Sequence, residues 1–121
     1  MTTKLDIRFE IIGGELGDDL EKRVASIFQK WRDRWPQWLL SVERPGKWTV
    51  QDRQGIDLVA QTIRGPVFIQ IKSSEAGARE FKHEHRKDHI LKRVVVLDIR
   101  SRDKHIYQSV VHEMQTGYNE L

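Results

Sequence analysis

Three residues of the segment GIDLVAQTIRGPVFIQIKSS, residues 55 to 74, have side chains and spacing suited to chemistry: Asp57, Gln70 and Lys72. A lysine closing a run as apolar as Val67, Phe68, Ile69 and Ile71 is costly unless a partner or a task holds its ammonium there. Strand residues two apart share a face, so Gln70 and Lys72 point the same way as Phe68, and Val67, Ile69 and Ile71 point the other way. On the preceding run Asp57, Val59 and Gln61 share one face, with Ile56, Leu58 and Ala60 on the other. A hairpin register that sets Asp57 beside Gln70 and Lys72 brings a carboxylate, an amide carbonyl and an ammonium to one pocket. Read as structure alone, Asp57 and Lys72 would be a cross-strand ion pair on an exposed face, worth under about 1 kcal/mol.

The elements that must position these residues follow from periodicity. Leu5, Ile7, Phe9 and Ile11 alternate with charged residues as a half-buried strand does, closed by Gly13-Gly14. Leu20, Val24, Ile27, Phe28, Trp31 and Trp35 recur at helical spacing behind Asp18 and Asp19, and Pro36 stops the helix. Residues 36 to 46, with two prolines and a glycine, read as a packed connection. Trp48 to Gln51 is a short strand candidate, Ile56 to Thr62 a second strand and Val67 to Ser73 a third, the last two joined by a turn at Arg64-Gly65-Pro66 as an antiparallel hairpin. Residues 75 to 91 read as a polar helix anchored by Phe81 and Ile90. Arg93 to Ile99 reads as an apolar strand buried on both faces, and Ile106, Val110, Met114 and Tyr118 as the stripe of a last helix. That stripe is either a lid on the sheet or a dimer surface. The order β-α-β-β-β-α-β-α predicts one α/β domain over residues 1–121, a central mixed sheet flanked by helices.

At 121 residues the chain has material for one core, and at 38% hydrophobic and 32% charged it is too apolar to be disordered. It has no cysteine, which excludes disulfides, thiolate metal sites and cysteine nucleophiles. No signal-peptide core and no membrane-length apolar run is present, which points to a cytoplasmic protein without a membrane partner. The net charge of +3 is mild, but Arg79, Lys82, Arg86, Lys87, Lys92 and Arg93 concentrate it locally with His83, His85 and His89. His85 and His89 stand at i, i+4 spacing without an evident third zinc ligand. The four tryptophans, Trp31, Trp35, Trp38 and Trp48, sit at core-like spacing and read as packing residues rather than base-stacking ones.

Gly55-x-Asp57, twelve intervening residues and Gln70-x-Lys72 resemble the PD-(D/E)xK nuclease superfamily, whose fold is restriction-endonuclease-like. The resemblance spans roughly residues 14 to 99: a first helix with a glutamate, a hairpin carrying the motif, a basic helix and an apolar strand. It implies a DNA endonuclease using Mg2+ or Mn2+, with Asp57, Gln70 and Glu21 as catalytic metal ligands and Lys72 orienting or polarising the attacking water. Glu21 takes its role from the pattern Glu-x-x-Val-x-x-x-Phe, and Glu15, Asp18 and Asp19 are neighbouring carboxylates.

The implied chemistry is coherent on physical grounds. Phosphodiester hydrolysis calls for a hard cation that neutralises charge on the phosphate and acidifies a bound water. Ile71 is placed to add a backbone oxygen to the ligand set, and Lys72 to stabilise hydroxide or the transition state. Gln70 departs from the commoner acidic residue and removes one negative charge, so cation affinity should be weaker. A Gln-x-Lys variant occurs among active members of the superfamily. Lys82, Arg86 and Lys87 are the expected phosphate contacts. The alternative reading is a catalytically inactive nucleic-acid-binding or assembly subunit on the same fold. RNA as a substrate and a homodimer both stay open.

Overall fold

The computed structural model of the chain describes residues 19–46, 55–87 and 92–121. The expected strands at 5–11 and 48–51 lie outside these residues. The first helix, α1, runs over residues 19–30, and its Leu20, Val24, Ile27 and Phe28 are buried, as their 3.6-residue period requires. It ends earlier than the apolar stripe. A 3-10 turn follows at Arg32–Arg34, and Trp35 is extended, the conformation that Pro36 imposes on the residue before it. The Trp35 indole donates to the Phe28 carbonyl at 2.9 Å, occupying one of the acceptors that a helix end leaves open.

Among the described residues four strands form the sheet in the order β1-β2-β3-β4. They are β1 (Leu39–Glu43), β2 (Leu58–Thr62), β3 (Gly65–Lys72) and β4 (Lys92–Val96). The expected connection over 36–46 is therefore corrected: it contains a strand, antiparallel to β2. β2 and β3 make the expected antiparallel hairpin, with Leu58 opposite Ile69 and Thr62 opposite Gly65. Buried Thr62 closes its turn, donating to the Gly65 carbonyl at 2.7 Å and accepting from the Arg64 N–H at 3.1 Å. Parallel pairing of β3 with β4 makes the sheet mixed and requires a crossover. Helix α2 (Glu75–Glu84) supplies it, with Ser74 as N-cap accepting from the Gly77 N–H. The last helix, α3, is Asp103–Asn119.

The sheet has helices on both sides. Leu58, Ala60, Val67, Ile69, Ile71, Val95 and Leu97 meet α1 and α3 in the main core, where Ile106, Val110 and Met114 are fully buried. The C-terminal stripe is thus a lid on the sheet. The opposite face is covered by α2 through Ala78 and Phe81. β4 departs from the expectation of a strand buried on both faces. It is the last strand among the described residues, with Val94 and Val96 only half-buried. Trp31, Trp35 and Trp38 pack against the core, Trp38 stacking on Tyr118 at 4.7 Å. No helix among the described residues is long and apolar enough to cross a membrane.

Close contacts tie the helices to the rest of the fold. Arg23 on α1 donates to the carbonyls of Ile99 and Ser101 and to Asp103 Oδ1, each at 2.7 Å. On α3, Gly117 lies so close to the sheet that a Cβ would stand 2.6 Å from Val67 Cγ1. Gly117→Ala should therefore lower stability by about 1–2 kcal/mol, because overpacking against a core valine outweighs the helix-propensity gain of about 1 kcal/mol. Denaturant titration checks this. An unchanged or raised midpoint would contradict the close approach.

Candidate active site at the end of the β2–β3 hairpin

The site begins with Gly55, whose φ of +75° lies in the left-handed region open to glycine. A Cβ there would also come within 2.8 Å of the Phe81 ring, so this turn beneath α2 requires glycine twice over. Two residues on, the Asp57 N–H donates to the Ile69 carbonyl at 2.9 Å. Its carboxylate Oδ2 accepts from the Ile71 N–H at 2.7 Å. The side chain thus lies along the end of the ladder, where a β2 backbone acceptor would otherwise stand.

Backbone alternation places the next donor. Leu97 N–H donates to the Lys72 carbonyl, so Lys72 directs its backbone groups at β4, and Ile71 directs both of its own toward β2. The Ile71 carbonyl consequently opens beside Asp57, past the last residue of β2.

Glu21 reaches the same point from α1. Its carboxyl hydrogen-bonds that of Asp57. Burial first, and then this hydrogen bond, push the Asp57 carboxyl up from 3.8 to about 8; the Ile71 N–H opposes the rise, the Glu21 charge adds to it and the Lys72 charge opposes it. The Asp57 carboxyl is therefore protonated near neutral pH. Glu21 also accepts from Arg44, at 3.2 Å, just past the end of β1.

Lys72 is half-buried on the α2 side, its Nζ 5.0 Å from the Phe81 ring centroid. Lys92 lies 5.7 Å from the same centroid, and His85 stacks on the ring at 4.2 Å. No ion pair joins Lys72 to Asp57, so the exposed cross-strand pair is not what holds the lysine; the Phe81 face solvates it. Gln70 follows Ile69 on β3, the residue that both pairs with Leu58 and accepts from the Asp57 N–H. It does not open into a cleft, as a polar pair at a strand end would suggest, but is buried beneath α2. Its Oε1 has no hydrogen-bond partner and would lie 3.5 Å from a Cβ at Gly55.

The structure therefore brings Glu21, Asp57 and the Ile71 backbone together, with Lys72 close enough to act on Asp57 electrostatically and Gln70 one layer in. Lys82, Arg86 and Lys87 are exposed on and just beyond α2, with Arg86 donating to the His83 carbonyl at 2.6 Å. His89 lies outside the described residues. Sequence reasoning missed Arg44 and the role of Phe81 as a platform for two ammonium groups. Among the described residues no three His, Asp or Glu side chains form a metal cluster. A cation here would draw on two carboxylates, neutral oxygens and water. An open groove of about 530 Å³ lies elsewhere, along β4. The chain has no match among protein-family models, curated proteins or solved structures.

Proposed function

We propose that the chain is a divalent-cation-dependent nuclease of restriction-endonuclease-like fold that hydrolyses DNA. The observation that carries this reading is the Glu21–Asp57 carboxyl pair set against the Ile71 backbone at the end of the sheet, beside Lys72. The residues fit a hard cation. The two carboxyls need a counter-charge once the Asp57 proton leaves, and Gln70 Oε1 is a buried oxygen without a partner. Glu21, Asp57, the Ile71 carbonyl and, after a small shift, Gln70 would hold Mg2+ or Mn2+. When bound, such a cation neutralises phosphate charge and acidifies water.

The chain's own residues supply the rest. Asp57 would give up its proton as the site fills, since its carboxylate is the form that binds a cation. Lys72 places a fixed positive charge where negative charge develops on the phosphate or the attacking oxygen, in a partly desolvated position that strengthens its effect. Lys82, Arg86 and Lys87 on and beyond α2 are free of the core and can position a DNA backbone without reading its sequence. The test is incubation with linear, branched and single-stranded DNA in Mn2+ or Mg2+, with and without EDTA. Cleavage that EDTA stops is expected. Binding without metal-dependent cleavage would favour an inactive assembly subunit, the reading that the burial of Gln70 under Phe81 supports.

A further inference from the structure

The groove along β4 has an informative lining. Val94, Val95 and Val96 all border it, although consecutive strand residues point to opposite faces. A groove touching all three faces the edge of the strand. Its walls are α2, through Glu75, Ala78 and Lys82, and α3, through His105, Ser109 and Glu113. Leu97, Val95 and Arg93 direct their backbone groups at β3, in step with the Leu97–Lys72 hydrogen bond. Val94 and Val96 direct theirs outward, unpaired among the described residues. This is a slot for one further strand.

We infer that the slot is filled by β4 of a second copy, running antiparallel across a two-fold axis at Val95. The charges on both walls are arranged for it. Along α2 the order is Glu75, Ala78, Lys82; reversed across the axis, Glu75 meets the lysine of the other copy and the alanines face each other. Along α3 the row His105, Ser109, Glu113 is flanked by Gln108 and His112; reversed, each His105 meets a Glu113 across a pair of serines, and each His112 a Gln108. The two centres lie level with the axis. Glu113 bonds Arg93 at 3.0 Å, and four helical residues rise about 6 Å while two strand residues rise about 6.6 Å, which sets Ser109 beside Val95. Small residues thus stand where the helices of the two copies come closest, and opposite charges where they flank. Val94 of each copy pairs with Val96 of the other, giving four new backbone hydrogen bonds and one continuous sheet. The inference is independent of the nuclease reading.

Sedimentation velocity of the full chain without DNA tests it. The wild type should sediment as a dimer at micromolar concentration. Val94→Pro removes an outward N–H and none that bonds β3, so the variant should keep the wild-type circular dichroism and dissociate at least about tenfold more readily. Glu75→Lys should weaken the dimer by placing two lysines in contact, and Glu75→Lys with Lys82→Glu should restore it. A wild type that stays monomeric would overturn the inference and leave the slot to another strand, whether foreign or from elsewhere in this chain. A dimer indifferent to both Val94→Pro and Glu75→Lys would overturn it equally, by placing the contact on another face.

Discussion

Asp57→Asn should abolish metal-dependent cleavage while raising the melting temperature of the cation-free protein at pH 8. The loss of activity follows from removing the central carboxylate of the pair. The gain in stability follows from the same geometry. Asp57 titrates at about 8 in the folded chain against 3.8 ordinarily. Between those values the folded state holds a proton that the unfolded state has released, so stability falls as pH rises from about 4 to about 8 and is flat above that. Asparagine keeps an oxygen to accept from the Ile71 N–H, donates to Glu21 and does not ionise. The variant should match the wild type near pH 4.5 and exceed it at pH 8 by about 2 kcal/mol, roughly 6–8 °C, well inside the ceiling that a shift of this size allows.

Cation should reverse the ranking. At a hundred times its dissociation constant it adds about 2.7 kcal/mol to whichever protein binds it, and only the wild type retains the ligand. Melting curves at the two pH values, with and without Mn2+, give all four comparisons. A wild-type melting temperature that does not change between pH 4.5 and 8 would sink the raised Asp57 pKa, and equal responses to Mn2+ would remove Asp57 from the ligand set.

Lys72→Met should lower the cleavage rate by about 10²- to 10³-fold, the usual cost of removing one group that stabilises developing negative charge. Methionine keeps an apolar stem against Phe81, so stability should change by no more than the exposed cation–π contribution of about 0.5–1 kcal/mol. Cation binding separates this role from that of a ligand. The ammonium repels a divalent ion, and its loss should tighten binding at pH 9, where the Asp57 carboxyl is ionised in either protein. Near pH 7 the gain should shrink, because Lys72 also helps Asp57 to ionise. Calorimetric titration at the two pH values reads both effects. If cation binding disappears with Lys72, the lysine organises the site rather than acting on the substrate.

The hairpin was legible because its signals are local: alternation along β3, the turn residues, and a glycine whose left-handed conformation is needed where it stands. β1 was not legible, for a specific reason. A register irregularity between Leu39 and Ser41 leaves Leu39 and Val42 buried with Leu40 exposed, so burial recurs at three rather than two, and flanking prolines argue for a loop. That β4 is the last strand among the described residues was hidden because helices on both faces demand apolar side chains whether or not a strand has two neighbours. At the site, Asp57 and the turn of Ile71 could be read from pattern. The burial of Gln70 against Gly55 and Phe81, and the approach of Arg44 to Glu21, depend on how α2 and β1 dock, which no spacing within the chain encodes.

Arg23 and Glu21 are two residues apart on α1, about 200° around its axis, and they are held on opposite sides. Arg23 is bound to two carbonyls of the β4–α3 connection and to the carboxylate of Asp103 at the start of α3, Glu21 to Asp57 and Arg44. A cylinder pinned at opposite points of its circumference resists rolling even when its packing face is smooth. The orientation of the Glu21 carboxyl is thus set as much by a guanidinium on the far side of the helix as by its own hydrogen bonds, and the torsional stiffness of α1 becomes a property of the site.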